Sequence, residues 1–252
     1  MTSVGVLGAA GRMGREVCRA VDAADDLTLT AAVDPHHEGT HLGTLVVAGS
    51  TDALERVDVA VDFTTPGSVI EDARWCLGHG KHIVIGTTGI ARDGLEEIRR
   101  LAGSGNANAI VAPNFAIGAA LLMRFAEQAA RHLDAAEVIE LHHDQKVDAP
   151  SGTAIATAER IAAARAGTWE APGGDIAHPG ARGADIDGVH VHGIRLPGLL
   201  AHQEVIFGGP GQTLTLRHDT IDRGAFIPGV LLAIRAVAGR PGLTVGLDAL
   251  LD

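Results

Sequence analysis

The chain contains no tyrosine, and aromatic residues make up only 3% of its 252 positions. Platforms for stacking nucleic-acid bases are scarce, and a formal net charge of -11 repels a polyanionic backbone. Together these deficits argue against a nucleic-acid partner. Long apolar runs are also missing: nowhere do about 18 apolar residues follow one another. The stretch from Met1 to Gly14 has no basic region ahead of an apolar segment. No membrane partner and no secretory leader are expected, and the expected location is cytoplasmic. Cysteine is limited to Cys18 and Cys76, both in segments of helical periodicity, which reads as small buried hydrophobes in a reducing compartment. Lysine is rarer than its charge class suggests, since only Lys81 and Lys146 are lysines among 20 basic residues.

What is abundant is apolar residues, at 46%, and glycine, with 33 copies. An apolar run over 4–7 ends at Gly8, a helical pattern follows over 12–24, and a second strand-like run covers 27–33, forming one βαβ unit. Strands over 57–63, 82–85 and 109–112 alternate with helices that end near 79 and 102, and a further helix covers 118–132. From about 134 the rhythm changes to strands over 137–142, 189–196, 204–208 and 214–218, with one helix over 154–166. A Gly-, Ala- and Pro-rich loop over 167–188 reads as mobile. The last helix, over 224–238, is expected to pack back on the first domain. The pattern predicts an α/β fold with a parallel sheet and a second α+β domain, divided as 1–133 with 219–252 and 134–218.

Gly8-Ala9-Ala10-Gly11-Arg12-Met13-Gly14 joins the first strand to the first helix. Exposed amides and the helix dipole there can hold a pyrophosphate, and glycines permit close backbone approach. The spacing is GxxGxxG rather than GxGxxG, and a glycine-rich tight turn is the alternative. Asp34 closes the second strand, where a carboxylate accepts hydrogen bonds from ribose hydroxyls and repels a 2′-phosphate, favouring NADH. Arg12, His36 and His37 offer positive partners to a 2′-phosphate, so use of both NADH and NADPH stays open. Gly86-Thr87-Thr88 and Ala112-Pro113-Asn114-Phe115 follow the carboxyl ends of strands, the edge at which open α/β sheets bind ligands. Both suit the nicotinamide end of a cofactor, and both equally suit helix capping.

The segment Glu140-Leu141-His142-His143-Asp144-Gln145-Lys146-Val147-Asp148-Ala149-Pro150-Ser151-Gly152-Thr153 packs two imidazoles, an ammonium and a Ser-Gly-Thr turn into one strand-to-helix connection. An ammonium gives up its proton when desolvated or beside another cation, whereas a guanidinium does not. A lysine in a chain that otherwise uses arginine therefore marks Lys146 for general acid chemistry, and chance placement at the surface is the alternative. His142 and His143 point to opposite sides of a regular strand and face one ligand only where the strand breaks up. The helix start at Gly152 and Thr153 is a ready carboxylate site, with Ser151 as the N-cap.

These motifs together resemble the 4-hydroxy-tetrahydrodipicolinate reductase family, also called dihydrodipicolinate reductases. GAAGRMG at 8–14, GTTG at 86–89, APNF at 112–115 and ELHHDQKVDAPSGTA at 140–154 occur in the family's order and spacing. The resemblance implies a Rossmann-like, doubly wound cofactor domain over 1–133 and 219–252. It also implies a substrate-binding and oligomerisation domain over 134–218, whose mixed open sheet assembles a homotetramer. It implies His142 and Lys146 as catalytic proton handlers, with His143, Gly152 and Thr153 binding substrate. Cofactor-binding positions are implied at Gly8, Ala9, Ala10, Gly11, Arg12, Met13, Asp34, Gly86, Thr87, Thr88, Ala112, Pro113, Asn114 and Phe115. The family often carries Arg just after the acidic residue, whereas Pro35 follows Asp34 here, a departure that counts against strong NADPH preference. The implied reaction passes hydride from NADH or NADPH to C4 of a small dicarboxylate cyclic imine and delivers a proton to the resulting enamine.

Another reductase on the same cofactor fold would share the first half and differ in its acceptor. A non-catalytic NAD-binding sensor would need no proton donor, which the second half supplies. No metal is expected: His190 and His192 share a strand face but lack an assigned third ligand, and His36, His37 and His41 read as a solvated loop.

Overall fold

A computed structural model describes residues 1–165, 167, 169 and 176–251. Part of the loop expected over 167–188 lies outside the described residues, as does the expected helix end at 166. The chain forms two compact units, one of Met1–Ile117 with Arg223–Asp252 and one of Gly118–Asp222.

The first unit opens with β1 (Thr2–Leu7), α1 (Arg12–Asp22), β2 (Leu27–Val33), and a short hairpin of β3 (His41–Leu42) and β4 (Leu45–Val46). It continues through β5 (Val59–Asp62), α2 (Val69–Gly78), β6 (His82–Ile85), α3 (Arg92–Ser104) and β7 (Ala109–Val111). The second unit holds most of α4 (Ile117–Ala129), then β8 (Ala135–His142), α5 (Gly152–Ala164), β9 (Ala184–Ile186), β10 (Val189–Arg195), β11 (Ala201–Gly209) and β12 (Gln212–Thr220). The chain returns to the first unit with α6 (Ile227–Ala236) and β13 (Leu243–Val245).

The first sheet has the order β13-β7-β6-β5-β1-β2 and every pair in it is parallel. Parallel sheets are covered on both faces, so their strands read as continuous apolar runs. β5 and β7 are buried at every residue, and the last four residues of β1 are buried as well. Strand order reverses between β1 and β5, the switch point at which doubly wound sheets hold nucleotides. α1 buries Gly14, Val17, Cys18 and Val21, one helical face. Both cysteines are buried free thiols, and burial pushes the Cys18 thiol up to about 11, in keeping with a hydrophobic role.

The second sheet, β12-β11-β8-β10-β9, is mixed: β8 runs parallel to β10 and antiparallel to β11. Burial alternates along β8 and β11, as expected of a sheet with one face covered. Ala154, Ala158 and Ile161 of α5 and Leu122 and Ala126 of α4 bury with Val138, Val191, Val205 and Phe207 in one core.

The division into units falls at 117/118 and 222/223, not at 133/134 and 218/219. The physical reason is α4, which places Leu122 and Ala126 in the second core. Residues 184–186, expected in the long loop, form the edge strand β9. The last helix belongs to the first unit, where Arg235 makes a two-pronged ion pair with Asp26, both contacts at 2.8 Å. No helix among the described residues is long and apolar enough to cross a membrane.

Candidate active site

The glycine turn is shaped by the absence of side chains. Gly8 has φ +72°, and a Cβ there would stand 2.5 Å from the Phe63 carbonyl oxygen at the end of β5. A Cβ on Gly14 would stand 2.1 Å from the Gly8 carbonyl oxygen. The turn therefore lies directly against the strand end and the helix start. The N-cap of α1, Gly11, supplies no side-chain cap, so the first amides of the helix are turned to a ligand or to water.

A cavity of about 660 Å³ opens beside this turn, lined among others by Gly8, Gly11, Asp34, Ser50, Thr64 and Asp72. Asp34 is 7% exposed, and its Oδ1 accepts from the His36 amide at 3.1 Å and pairs with His37 Nδ1 at 3.0 Å. Arg12 is exposed, while Ala9 and Ala10 are buried. A second hollow of about 170 Å³ gathers Met13, Gly86, Pro113, Asn114 and Phe115 with Phe63 and Phe226. Three motifs distant in sequence thus meet at one edge of the sheet. Gly86 is required there because a Cβ would strike the Phe63 ring at 2.2 Å. Ala112 is buried and Thr88 exposed. Thr87 is buried and donates to Asp62 Oδ1 at 2.7 Å.

Sequence reasoning assigned nothing to Asp62 or Asp72. Asp62 ends β5 fully buried and also accepts from the Thr64 amide at 3.0 Å and hydroxyl at 2.9 Å. Burial, and next the charge of Asp62, push the Asp72 carboxyl from 3.8 up to about 7. Between those values the folded chain keeps a proton that the unfolded chain has lost, so stability falls as pH rises from 3.8 through about 7. Asp72→Asn removes this titration. The variant's Tm relative to the unmodified protein should therefore rise by a few degrees, about 2–4 °C per kcal/mol, between pH 4 and pH 8. A difference that stays flat across that range would contradict the assignment.

In the second unit β8 ends at His142, so His143 already lies outside the strand, where the two rings are no longer forced to opposite faces. His142 Nδ1 lies 2.5 Å from Glu140 Oε2, and Glu140 is fully buried. Arg195, in register with His142 on the parallel neighbour β10, grips both Glu140 oxygens at 2.7 Å. Burial raises the Glu140 carboxyl, but the His142 and Arg195 hydrogen bonds outweigh it and hold it at about 2. Lys146 Nζ donates to both Asp148 oxygens, at 2.7 and 2.8 Å. Burial is the largest single influence on Asp148 and raises it, but the hydrogen bond and charge of Lys146, with the charge of Arg195, together outweigh it and leave its carboxyl below the usual range.

Ser151 caps α5 by accepting the Ala154 amide at 3.3 Å. That leaves the amides of Gly152 and Thr153, the first two of the helix, without an intrahelical acceptor. A Cβ on Gly152 would meet nothing within 4 Å, so the space before the helix is open. Elsewhere, His192 Nε2 pairs with Glu137 Oε2 at 2.8 Å, and among the described residues no group of His, Cys, Asp or Glu is arranged to hold a metal. The residues missed by sequence reasoning in this unit are Glu140 and Arg195. The available signal was period: Glu140 continues the buried positions Ala136 and Val138, where a carboxylate is out of place unless paired.

A doubly wound parallel sheet with a glycine-lined nucleotide cavity, joined in one chain to a separate unit bearing paired histidine and lysine side chains, defines a pyridine-nucleotide-dependent oxidoreductase. Two family models match, described as dihydrodipicolinate reductase N-terminus over residues 2–115 and C-terminus over residues 118–251. The chain belongs to the dihydrodipicolinate reductase family, whose members act in lysine and diaminopimelate biosynthesis. It is 54% identical to a protein of Nocardia farcinica named 4-hydroxy-tetrahydrodipicolinate reductase, over 99% of this chain and 98% of that one. A Streptomyces griseus protein of the same name is 53% identical, over 99% and 97%. Among solved structures, the dipicolinate-bound dihydrodipicolinate reductase of Paenisporosarcina sp. TG-14 superposes with a TM-score of 0.84 at 40% identity, covering 99% of each chain.

Proposed function

We propose that this protein reduces 4-hydroxy-tetrahydrodipicolinate to tetrahydrodipicolinate, using NADH at least as well as NADPH. The observation that carries the reading is the end of β8. There, one continuous stretch supplies an imidazole anchored on a buried carboxylate, an ion-paired ammonium, and a helix start with two amides that have no acceptor within the helix. The conversion gains a hydride and a proton and loses one water, so the site must bind two carboxylates and deliver protons.

The glycine cradle, closed to any Cβ at Gly8 and Gly14, fits a pyrophosphate held by the turn from Gly8 to Met13. Asp34 would hold the adenosine ribose, and Gly86 to Thr88 with Ala112 to Phe115 the nicotinamide end. When bound, the reduced nicotinamide supplies the hydride. Among the described residues, Asp34 and Glu71 line the larger cavity and no Lys or Arg does, a balance that disfavours a 2′-phosphate.

In the second unit the Gly152 and Thr153 amides hold one substrate carboxylate, and His143 contacts the substrate. His142 and Lys146 hold and deliver the protons, with the ammonium also offsetting the dianion. Association into a homotetramer through the second sheet is supported by its uncovered face, where Glu137, Ile139, Glu204 and Ile206 are only half-buried. The protein would work in the cytoplasm.

The test is NADH oxidation with freshly prepared condensation product of aspartate semialdehyde and pyruvate, against a panel of other imines and keto acids, repeated with NADPH. The expected result is turnover with that product and kcat/KM for NADH no lower than for NADPH. Turnover only with another acceptor would overturn the substrate, and a tenfold NADPH advantage would overturn the cofactor preference.

A further inference from the structure

Resting on the reading of His142 as a proton handler, we propose that Glu140 is a positioning residue of the acid–base site. Its carboxylate sets the tautomer and orientation of His142 and at the same time fixes the substrate-binding start of α5. The side chain is fully buried, a state carboxylates almost never adopt unpaired. It lies on the covered face of β8 with Ala136 and Val138, a row otherwise filled by apolar groups.

Four donors converge on it. Oε2 meets His142 Nδ1 at 2.5 Å and Arg195 Nη1 at 2.7 Å. Oε1 accepts from Arg195 Nη2 at 2.7 Å and from the Ser151 amide at 3.1 Å. Room for the carboxylate is left by Gly193, its register partner on β10, where a Cβ would stand 3.0 Å from Oε1.

An ionised carboxylate only accepts, so the hydrogen of the neutral imidazole sits on Nδ1 and Nε2 is left to exchange protons. Arg195 balances the buried charge and reaches the Asp148 carbonyl oxygen at 2.6 Å, tying Glu140 to the loop that carries Lys146. The Ser151 amide fixes the N-cap from which the Gly152 and Thr153 amides are aimed. One carboxylate thereby registers the proton-transfer ring, the lysine loop and the anion-binding turn against each other. Stability alone is a poor reason for it, because a buried ion pair gains little over an apolar replacement. An apolar row would also leave His142 without an orienting partner.

The test uses the whole chain with ¹⁵N-labelled histidine, together with Glu140→Gln and His142→Ala. In the unmodified protein the neutral His142 ring is expected as the Nδ1–H tautomer. In Glu140→Gln, whose amide nitrogen can itself donate, the ring is expected to show substantial Nε2–H tautomer. Turnover of that variant should fall about 10–100-fold, the loss typical of an orienting partner. KM should change by about threefold or less, and NADH affinity should hold within about twofold. Wild-type kcat with an unchanged tautomer in Glu140→Gln would overturn the inference while leaving the site reading intact. Full activity of His142→Ala would instead remove the site reading, and the tautomer measurement would still decide what Glu140 does to the ring. If Glu140→Gln does not fold, the unmodified protein alone decides, since an Nε2–H tautomer there overturns the proposal.

Discussion

Replacing His142 or Lys146 by alanine is expected to lower kcat by about 10²–10⁴-fold while leaving NADH affinity within about twofold, the range for losing a positioned proton donor. The split follows from placement. Both side chains belong to the second unit, whereas the glycine turn, Asp34 and the cavity they line belong to the first. Steady-state rates with the dicarboxylate substrate and fluorescence titration of NADH measure the two quantities separately. Lys146→Arg should be nearly as impaired as Lys146→Ala, because a guanidinium keeps the charge but does not give up its proton. Normal turnover in both alanine variants would sink the assignment, and an equal loss of NADH affinity would show that the fold, not the chemistry, had been damaged.

The second large effect is expected at Gly14. A Cβ there would sit 2.1 Å from the Gly8 carbonyl oxygen and 2.8 Å from the Ala9 Cα, both backbone atoms that cannot rotate away. Relief requires the start of α1 to move off the turn by roughly 1 Å, a strain of about 1–3 kcal/mol by analogy with overpacked cores. The same movement withdraws the helix amides from the pyrophosphate position. Gly14→Ala should therefore lower Tm by several degrees and weaken NADH binding at least about tenfold, read by thermal melts with and without cofactor. Gly152→Ala is the matched control for stability, since nothing lies within 4 Å of its Cβ position and its Tm should not fall. Unchanged NADH affinity in Gly14→Ala would remove the turn from the cofactor site.

The parallel sheet was readable because strands buried on both faces leave continuous apolar runs, as at 59–61 and 83–85. The two-residue strands β3 and β4 and the three-residue strands β9 and β13 carry too few side chains to show a period. Periodicity also identified α4 as amphipathic, but nothing in a single sequence says which of two cores receives its apolar face. At the candidate site His142, Lys146 and Gly152 were singled out together because they are close in the chain. Arg195 was not legible, because only the parallel register of β10 on β8 brings it to Glu140 from 55 positions away.

Under the function proposed above, the two-pronged bond between Lys146 and Asp148 would make substrate entry an exchange of counter-ions. The ammonium, 23% exposed, already holds a carboxylate, and Asp148 at 57% exposure has water at its back. On the roles proposed above, the incoming dianion meets an ammonium that is already paired, and an Asp148 carboxylate that gives way to it is solvated as it leaves. Lys146 is thus never left as a bare cation, and the net attraction for the dianion is set by the difference between two similar partners. Such a site would select for geometry more than for charge, because any anion can compete with Asp148 but only a dicarboxylate of suitable spacing would also reach the start of α5.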